Sequence, residues 1–204
     1  MKIKRFENGL FSVNTYLLTE NASCLIIDPG SDISILLNDI KKLNLNCLGL
    51  LITHPHIDHV EGISPAKKRF PSAPVYLSAD AVTFLSDIPN QARLFGLPVP
   101  ESFMCDKPLE NDGSFDIGPF SVQYIQTPGH CPGSLSFLIN GSLFTGDVLF
   151  QGSIGRTDLS GGNFSLLSRS ITEKLYLLPD STQVYPGHGG ATSIGWEKKN
   201  NPYV

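Results

Sequence analysis

The sequence predicts an α/β fold in which two sheets pack together with helices outside them. Three observations carry this reading. Short apolar or alternating runs recur between turn residues in both halves of the chain. Each half follows its strands with a segment of helical period. One run, Leu48–Thr53, is apolar without a break, as expected of a strand buried on both faces.

Taken in order, Val13–Thr19 and Cys24–Asp28 read as strands joined by the turn Glu20–Ala22. Asp28-Pro29-Gly30 breaks the chain. Apolar residues at Ile33, Leu36, Leu37, Ile40 and Leu43 predict a helix over Asp32–Leu43, with Ser31 or Asp32 as N-cap. A second helix is expected over His59–Phe70, its basic end Lys67-Lys68-Arg69 in solvent. Val75–Leu77 follows as a strand and Ala79–Leu85 as a short helix. The Pro- and Gly-bearing stretch Ile88–Asp112 predicts a long excursion with little regular structure, of the kind that often borders a site. Phe120–Gln126, Leu135–Ile139 and Ser142–Thr145 read as strands, the last two joined by the hairpin signal Asn140-Gly141. Asn163–Leu178 is expected as a helix, Gln183–Tyr185 as a strand, and Lys198-Lys199 as part of a polar tail.

At 204 residues the chain is expected to form one domain over 1–204. A formal net charge of −4 and no extended basic cluster argue against nucleic acid or an anionic membrane as partner. No apolar stretch approaches the roughly 18–20 residues needed to span a bilayer. Cys24, Cys47, Cys105 and Cys131 form no CxxC pair, which suits reduced thiols and a cytoplasmic location.

The chemistry concentrates in LGLLITHPHIDHVEG, Leu48–Gly62. Past the strand, His54 and His56 share a side because extended backbone alternates its side chains. Asp58 then stands where a helix begins, with His59 in its first turn. His130 in TPGHCPG, Asp147 in FTGDVLF and His188 in YPGHGG each follow a strand, within loops rich in Gly or Pro. All five histidines of the chain belong to this set. Four such groups converge from six residues alone, and one tetrahedral ion rarely takes more than four protein ligands, so the set has room for two cations. A structural zinc site would be closed and rich in Cys, so the expected site is catalytic.

THPHIDH with the later TPGH, TGD and PGHG resembles the metallo-β-lactamase superfamily pattern over about Val13–Gly190. QARLFGL, GSIGRTDLSGG and GWEKKNNPYV are most similar to its glyoxalase II (hydroxyacylglutathione hydrolase) branch, in the short form without a C-terminal glutathione-binding helical domain. The resemblance implies an αββα sandwich, in agreement with the two-sheet reading. It implies that His54, His56 and His130 hold one divalent ion, that Asp58, His59 and His188 hold the other, and that Asp147 bridges them, with Asp58 also catalytic. Zinc is the expected metal, with Fe or Mn as alternatives. The implied activity is hydrolysis of a small-molecule thioester such as S-lactoylglutathione by a hydroxide shared between the metals. Arg156 and Asp158 are expected to pair and shape a loop beside the site, and Cys131 to pack its own loop. Asn14, Asp28 and Gly30 are expected as scaffold positions without chemistry.

The alternative on the same scaffold is a persulfide dioxygenase, with a single iron on His54, His130 and Asp147. Gly187-His188-Gly189 departs from the HDY-like sequence those enzymes carry. Nuclease activity is disfavoured by the acidic charge, β-lactam hydrolysis by the closer resemblance, and a non-catalytic metal-binding role by the intact ligand set.

Overall fold

A computed structural model describes all residues, Met1–Val204. The first half contains β1 (Lys2–Asn8), β2 (Val13–Glu20), β3 (Ser23–Ile27), α1 (Ser34–Lys42), β4 (Asn46–Leu51), α2 (Ile57–Val60), α3 (Ile63–Arg69), β5 (Val75–Ser78), α4 (Ala79–Val82), a 3-10 turn at Thr83–Asp87, α5 (Ile88–Leu94) and β6 (Lys107–Leu109). The second contains β7 (Gly113–Ile117), β8 (Phe120–Gln126), β9 (Leu135–Ile139), β10 (Ser142–Gly146), β11 (Leu149–Phe150), β12 (Ser153–Ile154), α6 (Phe164–Thr172), a 3-10 turn at Leu175–Leu177, β13 (Gln183–Pro186), β14 (Thr192–Ser193) and α7 (Ile194–Asn200). No helix is long and apolar enough to cross a membrane.

The strands form two six-stranded mixed sheets, ordered β1-β2-β3-β4-β5-β6 and β14-β13-β10-β9-β8-β7. Strand parity shows how they stack. Tyr16, Leu18, Leu25, Ile27 and Leu51 point into a cluster with Val122, Phe137, Ile139 and Phe144 of the other sheet. Their alternates Leu17, Ile26 and Leu50 join Leu36, Ile40, Val60, Ile63 and Ala66 of the helices outside the first sheet. Leu143 and Val184 turn outward from the second sheet onto Leu167, Ile171 and Ile194 of α6 and α7. Strands apolar on both faces thus build three apolar layers between four layers of structure, the expected αββα sandwich. A fully buried aliphatic or aromatic side chain contributes roughly 1.5–3 kcal/mol, so the inter-sheet layer can hold the sheets in register.

The sheets are also joined by backbone bonds at one end. Thr53 O accepts from Leu135 N at 2.8 Å, and Gly187 O accepts from Asn14 N at 2.7 Å. The chain leaves β4, β8, β10 and β13 here, toward His54, His130, Asp147 and His188.

Several local expectations are corrected. Ile88–Asp112 is regular only near its ends, as α5 and β6, and has no helix or strand over residues 95–106 between them. Pro89 falls in the first turn of α5, where a missing N–H breaks no helical bond. The helix expected over His59–Phe70 divides into α2 and α3 at Glu61-Gly62, where Gly62 packs against the carbonyl oxygens of Pro29 and Gly30. The first helix begins at Ser34 without a side-chain cap. The helix after Asn163 stops at Thr172, and its Asn163 cap accepts from Leu166 N at 2.9 Å. Lys198 and Lys199 lie within α7, and Lys2–Asn8, to which the sequence reading assigned no element, is the edge strand β1.

Candidate metal centre

All seven ligand-type residues converge. One ligand atom from each of His54, His56 and His130 lies within 4.8 Å of the others, and the same holds for Asp58, His59 and His188, and for His54, His59 and Asp147. His188 Nε2 is 3.2 Å from Asp58 Oδ2 and 3.5 Å from Asp147 Oδ2, while His59 Nε2 is 3.4 Å from Asp147 Oδ1. The close approach of the loops depends on Gly187. A Cβ there would stand 2.3 Å from Asp147 Oδ1 and 2.7 Å from His59 Cε1.

Hydrogen bonds around the cluster determine which nitrogen of each ring faces inward. The Thr53 hydroxyl donates to Asp28 Oδ2 at 2.7 Å. Its contact with His54 Nδ1 at 3.0 Å therefore requires His54 Nδ1 to donate, which leaves a lone pair on Nε2. His59 Nδ1 donates to Asp28 Oδ2 at 2.9 Å, and His130 Nδ1 to the carbonyl of Arg156 at 2.7 Å. Both rings then turn Nε2 toward the centre. His130 Nε2 lies 3.0 Å from His56 Nδ1.

These inward atoms fit a cation. His54 Nε2, His59 Nε2 and Asp147 Oδ1 are buried without a hydrogen-bond partner within the protein, and leaving such groups unpaired costs roughly 1–3 kcal/mol each. Burial, and then the neighbouring imidazoles, hold His54 well below its ordinary pKa. Burial and then His130 and His59 bring His56 down to about 4. Burial also opposes charge on His59, but Asp58, Asp147 and Asp28 outweigh it and hold its pKa well above the ordinary value. Burial would raise Asp147, yet the positive charge of His59, with His188 and His130, keeps its carboxyl well below the usual range. His54 and His56 held neutral, with His59 sharing a proton with carboxylates that a cation can displace, make up the donor set of a divalent-cation site.

Asp28 corrects the expectation of a scaffold position without chemistry. It follows β3 with a left-handed φ of 47°, a conformation that Asp tolerates better than most residues. From there its carboxylate takes His59 Nδ1, Thr53 N and the Thr53 hydroxyl. Asn14 donates to the carbonyls of Pro186 and Gly189, on either side of His188. Gly30 lets Asp58 approach, since a Cβ there would lie 2.7 Å from Asp58 O. Gln91 also escaped the sequence reading. Its Oε1 accepts from Ile57 N at 2.9 Å, and its Nε2 donates to Pro55 O at 3.4 Å, so α5 steadies the His56–Asp58 loop. The chain break after the strand at Asp28 and the Gln91–Leu97 stretch were visible signals, but their partners are distant in sequence.

Arg156 and Asp158 form a two-pronged pair at 2.6 and 2.8 Å. The Arg156 contact with His130 runs through its carbonyl. Cys131 is buried, and burial followed by the Asp147 charge pushes its thiol up to about 12, so it stays protonated at neutral pH. The cluster opens into a cavity of about 680 Å³, with His56, Asp58, His130, Asp147 and His188 among its lining residues.

The family model described as the metallo-beta-lactamase superfamily matches residues 8–188. The hydroxyacylglutathione hydrolase GloC of Haemophilus influenzae is 38% identical over 209 residues, covering 100% of this chain and 98% of that protein. Among solved structures, the BLEG-1 B3 metallo-beta-lactamase has a TM-score of 0.93 at 39% identity, covering 99% of each chain. TTHA1623, in a di-iron-bound form, has a TM-score of 0.89 at 34% identity, covering 98% of this chain and 100% of that one.

Proposed function

The chain belongs to the metallo-β-lactamase superfamily, and we propose that it is a binuclear metallohydrolase that cleaves a thioester, S-lactoylglutathione being the first to test. The observation that carries the reading is the pair of complete ligand triads, His54/His56/His130 and Asp58/His59/His188, with Asp147 between them. Zinc is the proposed metal, and the di-iron form of a 34% identical neighbour supports a site for two ions. Likeness to a hydroxyacylglutathione hydrolase over the full chain supports the thioester.

Divalent ions held there would lower the pKa of water toward neutrality and polarise a carbonyl. The chain's residues supply the rest. Asp28, Thr53 and the Arg156 carbonyl lock three imidazoles in the tautomer that turns Nε2 inward. Asp58, which lines the cavity, would accept a proton from an attacking water. A thiol is more acidic than an alcohol or amine, so a thiolate leaves without a dedicated proton donor.

The test is metal content per chain in protein purified without added metal, with S-lactoylglutathione hydrolysis measured on the same sample. Near two metals with thioester cleavage is the expected result. Near one iron, no hydrolysis and oxygen uptake on glutathione persulfide would overturn it in favour of a dioxygenase. The 39% identity to a B3 metallo-beta-lactamase makes a chromogenic cephalosporin the necessary second substrate. Cleavage of that compound without any thioesterase activity would also overturn the proposal.

A further inference from the structure

One wall of the cavity is apolar although it faces solvent. Phe84, from the 3-10 turn, and Leu94 and Phe95, from the end of α5, line it together with Phe11 from the β1–β2 turn. Leu94 is 77% exposed and Phe95 42%. Phe11 and Phe95 meet edge to face with ring centroids 5.0 Å apart, so segments distant in sequence are joined into one surface. The wall also stands at a set position relative to the candidate metal centre. Gln91, one turn before Leu94 and Phe95 on the same helix, holds the His56–Asp58 loop at Ile57 N and Pro55 O.

Charge around the cavity points the same way. No lysine lines it, and its one arginine, Arg156, is already paired through both prongs with Asp158. Asp87 adds a carboxylate to the lining. Outside the metal centre, a substrate arm bearing carboxylates meets one cation, Arg156, whose charge Asp158 offsets, whereas an uncharged apolar arm meets an exposed apolar surface that it can cover.

We infer that the preferred substrate is a thioester with an uncharged apolar arm lying against Phe11, Phe84, Leu94 and Phe95, and that these residues set specificity. This rests on the thioesterase reading and narrows it: small polar acyl groups on anionic carriers are secondary substrates. Apolar contacts of this kind discriminate by roughly tenfold or more per well-buried methylene, and a shallow, half-open wall gives less.

The experiment uses the metal-loaded enzyme with acetyl, butyryl and hexanoyl thioesters of N-acetylcysteamine beside S-lactoylglutathione. The expected result is a kcat/KM that rises roughly tenfold from acetyl to hexanoyl and exceeds that for S-lactoylglutathione. Leu94→Asp, at an exposed position that folding tolerates, and Phe95→Ala should abolish the rise through KM, with kcat held. Leu43→Asp, at another exposed apolar residue outside the cavity, should leave the profile as it is. A flat chain-length profile, or a profile unchanged by Leu94→Asp, overturns this inference and leaves the thioesterase reading standing. Failure to cleave any thioester sinks both. A dimer in sedimentation that Leu94→Asp dissolves would assign the wall to a second copy of the chain, and would also overturn it.

Discussion

Asp28 Oδ2 lies 2.9 Å from His59 Nδ1, while Asp28 Oδ1 and Oδ2 also take the amide and hydroxyl of Thr53 at 2.8 and 2.7 Å. One buried carboxylate thereby orients a candidate ligand directly and a second, His54, through Thr53. Asp28→Asn keeps the size but removes the charge, and can present an NH2 where His59 needs an acceptor. The expected outcome is a loss of roughly 10–100-fold in metal affinity, read by competition with a chelating dye. Unchanged affinity would show that the His59 ring is held by packing alone.

His56→Ala and Asp147→Asn remove a ligand without opening the apolar layers. Turnover should fall on the order of 10³-fold or more, while far-UV circular dichroism stays close to that of the parent. Full activity in either purified variant would sink the proposed centre.

Gly187→Ala tests the close approach of loops. Its Cβ would press on Asp147 Oδ1 and the His59 ring, so the carboxylate has to move. The expected results are metal content well below that of the parent and a stability loss of roughly 1–3 kcal/mol, measured by plasma emission and denaturant titration.

Glu197 is fully buried with no cation beside it. It accepts from the Thr192 hydroxyl at 2.6 Å, Asn201 Nδ2 at 2.8 Å and Gly152 N at 3.0 Å, tying α7 to β14 and to the β11–β12 hairpin. Glu197→Ala leaves those donors unpaired and should cost roughly 2–4 kcal/mol in urea unfolding. Glu197→Gln keeps an acceptor and should cost less. Equal losses would show that side-chain volume, not hydrogen bonding, sets the effect.

Chelation should lower the melting temperature, because ions that bind the folded chain stabilise it by about 4 kcal/mol at a thousand times Kd. Protons compete with metal for imidazole nitrogens and carboxylates, so stabilisation by metal weakens as pH falls. Thermal melts with and without chelator should therefore differ more at pH 8 than at pH 5.5. A gap that widens at low pH would contradict binding through histidine.

Several mismatches between sequence and structure share one cause. Lys2, Lys4 and Arg5 obscure β1 because an edge strand with a solvated face needs no apolar alternation. Pro89 suggests a break in α5, although its cost depends on a position within the helix that only the folded chain defines. Asp28 shows its turn chemistry locally, but its partners Thr53 and His59 lie 25 and 31 residues on.

The sequence alone determined the residue types of the centre and their places after strands, because ligand chemistry and strand periodicity are local properties. It likewise determined the layered α/β class, since strands apolar on both faces need cover on both sides. Tertiary structure decided which imidazole nitrogen faces inward, that Asp28 and Gln91 steady the ligand loop, and that Phe11 meets Phe95 beside it. Those relationships depend on distances between residues far apart in the chain, and the packing of two sheets sets those distances.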